Sequence, residues 1–529
     1  MSIVDAVFES AKRAFVANDM ATAERLCRSM IAASAHDARP WIILTDISLR
    51  QGRPADALVW AEKAVARDRH DAFAHLGKVK CLTALGRLTE ALETAETGVA
   101  IKGCPPVALD EFGRAFSQLG RHNRSLEVIR MAVAAEPRNF LFLYNLAIAE
   151  RTCGAIEDAE RHCDQVIALN PDFHRAYYIR ADLRKQTAAQ NHIAEMEALI
   201  ARGIRDAYGE VLVRFALGKE CEDVGEDGRA FSHIKAGGEL HRRHLRYNVQ
   251  NDTALMGRLI EMQTRSALDT LPRGYLQDAP IFIVGLPRTG TSLVERIVAA
   301  HKAVAAAGEL GAFTTELMRA TKTDMRLDPG AWITRLPSAD IEALGKGYSR
   351  VARETGVPPD RRFTDKYPPN FLYCGAVHAA LPNARIIAVR RGAMDTCYAL
   401  YKAHFASGAY PYSYRLDELA DYYLAFRRLM DHWKTILPAT ALLEVAYEDV
   451  VGDLERQSRR ILSFLGLPWQ DSVLNFHAST APATTASAVQ VRQPIYASSI
   501  GKWRRHADLL APLRERLAAA GVPAEELSG

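Results

Sequence analysis

The sequence predicts an all-α array of helical repeats at the N-terminus, followed by an α/β domain whose parallel sheet carries an anion-cradling loop. Three observations predict it. Glycines recur every 34 residues through the N-terminal part of the chain. Beyond about residue 245, apolar strand-like runs alternate with amphipathic helical stretches. One of those runs opens into a loop rich in Gly, Pro, Ser and Thr, at Gly285 to Ser292.

The repeats come first in the chain. Gly52, Gly86, Gly120 and Gly154 are each 34 residues apart, and five positions after each stands a small residue: Ala57, Ala91, Ser125 and Ala159. One unit earlier, Asn18 and Ala23 hold the same offset. Pro137 and Pro171 end successive units. Gly225 with Ala230 keeps the offset but falls out of phase. Each unit reads as two antiparallel helices, the glycine ending the first and the small residue letting the second pack closely. With this period and this signature, residues 1–245 resemble a tetratricopeptide repeat domain, a superhelix with a concave groove. The groove is expected either to hold a peptide or protein, or to serve as scaffold or as the surface of a homodimer.

The remaining residues, 246–529, alternate in type. Ile281–Val284, Ala384–Val389 and Ala441–Val445 are apolar enough for buried strands, and the stretches between them are amphipathic. That alternation predicts a parallel sheet covered by helices on both faces. Ligands of such sheets lie outside the carboxyl ends of the strands. The loop after Val284 falls at such an end. Its sequence, Gly285-Leu-Pro287-Arg288-Thr289-Gly290-Thr291-Ser292, precedes an amphipathic run from Leu293 to Ala300. Main-chain N–H groups and the positive end of a helix then converge on one point, which suits an anion. Gly285 and Gly290 permit a tight turn, Arg288 adds a fixed cation, and the hydroxyls of Thr289, Thr291 and Ser292 add donors. The result is a P-loop-like anion site. Its spacing follows G-x-x-x-x-G-K-[ST], but Thr291 stands where that motif has the lysine on the β- and γ-phosphates, which argues against an ATPase or kinase.

Composition narrows the function classes. The chain has 529 residues, 48% of them hydrophobic, enough for more than one packed core. A formal charge of +4, with no polybasic tail, gives no reason to expect nucleic acid. The eight cysteines show no paired metal-ligand spacing, and their scatter suits a reducing, cytoplasmic setting. The N-terminus lacks the basic start and apolar core of a signal peptide. No apolar run reaches the ~18 residues of a membrane span.

The segment Pro287-Arg288-Thr289-Gly290-Thr291-Ser292 resembles the 5′-phosphosulfate loop of sulfotransferases, which use 3′-phosphoadenosine 5′-phosphosulfate (PAPS). Further segments extend the resemblance over about residues 275–510, most closely to the tyrosylprotein sulfotransferases. The run Arg390-Arg391-Gly-Ala-Met-Asp395 follows the second strand. The resemblance puts Arg391 on the 3′-phosphate of the nucleotide, with a serine expected eight residues later. Position 399 is alanine. That hydrogen bond is therefore missing or comes from a neighbour such as Lys402. Tyr447, in Tyr447-Glu448-Asp449, matches a tyrosine that faces the nucleotide. Ser487 and Lys502, fifteen residues apart, match a cofactor-clamping segment.

The resemblance also implies the reaction residues. Glu309, nineteen residues after Gly290, is the expected general base. Lys366, in Asp365-Lys366-Tyr-Pro-Pro, is the cation expected on the bridging oxygen as negative charge grows, a load shared with Arg288. His301 and His404 are the alternative bases. No metal is required. The expected function is sulfuryl transfer from PAPS to an acceptor hydroxyl on a peptide or protein, tyrosine-like. A carbohydrate or small-molecule acceptor, or a catalytically inactive repeat-based adaptor, are the other readings that these residues leave open.

Overall fold

The computed structural model describes residues 3–33, 37–325, 327–405, 408–478 and 499–528. The chain divides into two compact units, Met1–Leu169 and Asn170–Gly529.

The first unit is five helical hairpins in sequence: Ile3–Val16 with Met20–Ala33, Arg39–Arg50 with Pro54–Arg67, Ala72–Ala84 with Leu88–Val99, Pro106–Gln118 with His122–Ala135, and Phe140–Cys153 with Ile156–Leu169. The periodic residues explain the hairpins. Gly52, Gly86, Gly120 and Gly154 all take positive φ between their helices, and Asn18 does so at +63° in the first hairpin. Asparagine tolerates that conformation better than most side chains. Ala23, Ala57, Ala91 and Ala159 are fully buried and Ser125 is 2% exposed, as close helix packing requires.

The second unit opens with helices of its own. Ala207–Val224 and Asp227–Arg243 form a hairpin with Gly225 at positive φ and Ala230 fully buried. Gly218 is where the two helices touch, since a Cβ there would lie 2.6 Å from Ile234. This hairpin packs within the second unit, with Phe231 against Tyr401 and Phe215 against Tyr414 at ring distances of 5.7 and 6.1 Å. Residues up to 245 were expected to go with the repeats; the compact unit containing the sheet takes in those from Asn170 onward.

Among the described residues the sheet has five strands: β1 Ile281–Val284, β2 Val304–Ala306, β3 Arg362–Asp365, β4 Arg385–Arg390 and β5 Leu442–Ala446. Their order is β2-β3-β1-β4-β5, and every pairing is parallel. Sequence periodicity located β1, β4 and β5 to within a residue. It missed β2 and β3, which are short and carry Ala, Arg, Thr and Asp instead of an apolar run. Side chains alternate between faces. Phe282, Val284, Ile386 and Ala388 join the larger core, while Ile281, Ile283, Ile387 and Val389 pack against Val294, Ile297 and Val298 of the helix Thr291–Ala299. Burying each large aliphatic or Phe side chain contributes roughly 1.5–3 kcal/mol, which is why a four-residue strand can anchor the centre of the sheet. Among the described residues no helix is long and apolar enough to cross a membrane.

Candidate functional site

A parallel sheet aims all of its carboxyl ends one way. The loop 285–290 leaves β1, Gly308-Glu309 follows β2, Lys366 follows β3, Arg391 follows β4 and Tyr447 follows β5. Residues far apart in sequence therefore gather along one edge.

The loop after β1 is held tightly. Gly285 has φ +152°, and a Cβ there would lie 2.5 Å from the Val389 carbonyl at the end of β4. Gly290 has φ +101°, and a Cβ there would meet the Tyr447 ring at 2.5 Å. Arg288 takes φ +68°, a left-handed conformation costly for a residue other than glycine. The Thr289 hydroxyl donates to the Leu286 carbonyl at 2.7 Å, so it braces the turn instead of adding a donor to a ligand. The helix Thr291–Ala299 starts at Gly290 with no side-chain cap. Its first N–H groups and its positive dipole end face the loop, an arrangement that can hold an anion.

At the other strand ends stands a carboxylate–ammonium pair. Lys366 donates from Nζ to Glu309, and its own main-chain N–H donates to the Gly308 carbonyl at 2.8 Å. Lys366 is 1% exposed and Glu309 is 42% exposed. The buried cation is thus fixed while the carboxylate reaches solvent. Two acidic residues that sequence reasoning overlooked lie behind them. Glu295, on the helix Thr291–Ala299, accepts from the Thr364 hydroxyl at 3.0 Å, and burial pushes its carboxyl up against the opposing pull of Lys366. Asp365 accepts from the Tyr348 hydroxyl at 3.0 Å and the Leu310 N–H at 3.3 Å, and burial pushes it up to about 7. The acidic residue next to Lys366 was a signal available in the sequence; the burial of Glu295 was not.

Arg391 joins the loop to the C-terminal segment. Its Nη1 donates to the Arg288 carbonyl at 3.3 Å and its Nη2 to the Ser499 carbonyl at 2.5 Å. Its guanidinium lies 5.0 Å from the Tyr447 ring centroid, and Asp395 pairs with it at 3.7 Å. The Tyr447 hydroxyl and the Ser499 hydroxyl share a hydrogen bond of 2.7 Å, and the Gly501 N–H donates to Asp395 at 2.7 Å. Lys502 follows directly, and Trp503 anchors the segment in the core. Among the described residues the Arg391 Nε is buried without a hydrogen-bond partner, although its side chain is only 9% exposed. A buried guanidinium N–H without a partner among the described residues is costly and suits an anionic ligand. Ser487 lies outside the described residues.

The remaining sequence candidates are placed as follows. Ala399 is buried and offers no hydroxyl. Lys402 donates to both oxygens of Glu222. His301 is used structurally, its Nδ1 accepting from the Ala303 N–H at 3.1 Å and its Nε2 donating to the Pro468 carbonyl at 3.0 Å. His404 is buried among Tyr178, Tyr208, Phe215 and His241, and burial pushes it down to about 4. Neither imidazole is set against the loop as a base.

Family models match both parts of the chain. A family model described as the sulfotransferase family matches residues 280–471, and two tetratricopeptide repeat models match residues 48–103 and 111–172. An uncharacterized protein of Aquifex aeolicus (strain VF5) is 29% identical over 412 residues, which cover 75% of this chain and 53% of that protein. The match thus spans about half of that relative's length. Protein-tyrosine sulfotransferase 1 of Danio rerio is 24% identical over 296 residues, 52% of this chain and 81% of that one. Among solved structures, the sulfotransferase domain of the Synechococcus PCC 7002 olefin synthase gives a TM-score of 0.35 at 17% identity, covering 48% of this chain and 98% of that domain.

Proposed function

We propose that this chain, in which a sulfotransferase-family domain is joined to tetratricopeptide repeats, transfers a sulfuryl group from PAPS to a hydroxyl of a peptide or protein. The observation that carries the reading is the convergence, at one edge of the sheet, of an uncapped helix N-terminus with a carboxylate–ammonium pair. The residues present suit an anionic nucleotide: the loop's main-chain N–H groups, Arg288, the Nε of Arg391, unpaired among the described residues, and the neighbouring Lys502 all supply donors or positive charge. The nucleotide, when bound, supplies the sulfuryl group.

The chain's own residues would do the rest. Glu309 reaches solvent and takes the proton of an incoming hydroxyl. Lys366, fixed by burial, holds its ammonium beside that carboxylate and offers a proton where negative charge develops. Arg288 and the start of the helix 291–299 hold the anion in line with them. Pre-aligned donors of this kind need no reorganisation as charge shifts. A peptide or protein acceptor fits the attached repeats, whose groove offers a holding surface.

The test combines calorimetry with a labelled donor. Arg288→Ala is expected to abolish binding of adenosine 3′,5′-bisphosphate. Glu309→Gln should bind it normally and lose transfer by about 10²-fold or more. Transfer from labelled PAPS to tyrosyl peptides, saccharides and small alcohols identifies the acceptor class. Full turnover by Glu309→Gln would remove the base assignment, and nucleotide binding without transfer to any acceptor would favour an inactive adaptor.

A further inference from the structure

Lys402 sits at the C-terminal cap of the helix Ala393–Tyr401, three residues beyond Ala399 and so on the same face of that helix. Its Nζ donates to Glu222 at 2.8 and 2.6 Å, and the Tyr398 hydroxyl donates to the same carboxylate at 3.1 Å. Glu222 comes from the hairpin 207–243, which lies wholly outside the stretch matched by the sulfotransferase model. The hairpin also reaches the C-terminal segment: Phe231 packs on His506 at 5.4 Å and Asp227 pairs with Arg505 at 3.7 Å.

A partly buried ammonium–carboxylate pair of this kind gives little net stability, because desolvation offsets the attraction. Its position here gives it another use. Lys402 is within electrostatic reach of Lys502 and Arg288, and Glu222 is within reach of Lys502. Arg391 lies just ahead of the same helix. Lys402, Lys502 and Arg288 thus act on one another with Glu222 set against the first two, while Arg391 pairs with Asp395 and Glu448 accepts from the Gly392 N–H at 2.9 Å, so that four cations face three carboxylates. Burial and the neighbouring cations lower the Lys402 ammonium, and Glu222 opposes them. Nζ carries three donors, and the Glu222 oxygens take two.

We propose that Lys402 binds the nucleotide's second phosphate together with Arg391, in place of a hydroxyl at position 399, and that Glu222 is the positioning residue that holds it there. The hairpin 207–243 then belongs to the nucleotide site. This rests on the reading that the site takes an adenosine bisphosphate-type nucleotide.

The test uses the full chain and two probes, adenosine 3′,5′-bisphosphate and adenosine 5′-monophosphate, titrated calorimetrically. The native protein should prefer the bisphosphate. Lys402→Met should weaken the bisphosphate about tenfold and leave the monophosphate unchanged, since a charge-assisted bond is lost at one phosphate only. Lys402→Arg, which keeps the cation, should retain most of the preference. Glu222→Gln should reduce the preference and Glu222→Asp should restore part of it. A preference unchanged in Lys402→Met overturns the proposal. Tighter bisphosphate binding in Glu222→Gln overturns the positioning role, because Glu222 would then be a competing anion. A native protein that binds neither probe overturns the nucleotide reading itself, which separates that failure from the failure of Lys402 alone.

Discussion

Gly290 carries two constraints at once, a left-handed backbone and a missing Cβ under the Tyr447 ring. Either alone would favour glycine; together they tie the loop after β1 to the residue after β5. Gly290→Ala must move the ring or the loop, at a cost of order 1–3 kcal/mol. The expected outcome is a loss of nucleotide affinity of about tenfold or more by calorimetry, with the thermal midpoint lowered by only a few degrees. Unchanged affinity would separate the loop from the nucleotide. Arg288 was legible as a cation in sequence, but its positive φ was not, since only the fold forces that conformation. Thr289 shows the converse. Its type fits a ligand donor, yet its hydroxyl closes the turn.

Strand ends set the chemistry at the next scale. β3 ends on a buried carboxyl, Asp365, and the next residue along the chain is a buried lysine, Lys366. Burial raises Asp365 from an ordinary 3.8 to about 7, so the folded chain holds that proton more tightly than the unfolded chain. Folding is therefore favoured below the unfolded value, and stability falls as pH rises from about 4 to about 7. The span corresponds to about 4 kcal/mol. Denaturant unfolding of the native protein should show that fall, and Asp365→Asn should flatten it. An equally steep slope in the variant would assign it to other groups. β2 and β3 escaped sequence reading because neither has the apolar run of a buried strand; their partners in the sheet supply the burial that their own composition does not advertise.

For the whole molecule, the informative feature is where the compact units divide. The helices from Arg175 to Arg243 pack with the sheet-bearing unit. Arg242 makes a two-pronged ion pair with Glu418 at 2.8 Å, and Glu222 neutralises Lys402. A chain cut to residues 246–529 would strip both partners away and expose the faces of Tyr401 and Tyr414. Breaking one such partly buried, hydrogen-bonded pair costs roughly 1.5–3 kcal/mol. A fragment of residues 170–529 is expected to keep the full chain's thermal midpoint and nucleotide affinity for this unit, and residues 246–529 to aggregate or melt far lower. Equal behaviour of the two fragments would make the hairpin an accessory.

By itself the amino-acid sequence determined the repeat period, the three apolar strands and the glycine loop, because these depend on local spacing: a turn every 34 residues, a buried run, a tight bend before a helix. Glu309, Lys366 and Arg391 were singled out only through the resemblance to the sulfotransferases, not by spacing or composition alone. Tertiary structure alone decided that Glu309 and Lys366 touch, that Glu295 and Asp365 lie buried behind them, and that a carboxylate from residue 222 reaches Lys402. The reason is physical. Parallel pairing of strands and packing of helices bring together residues tens to hundreds of positions apart, and neither burial nor an ion pair between such residues leaves any trace in the spacing along the chain.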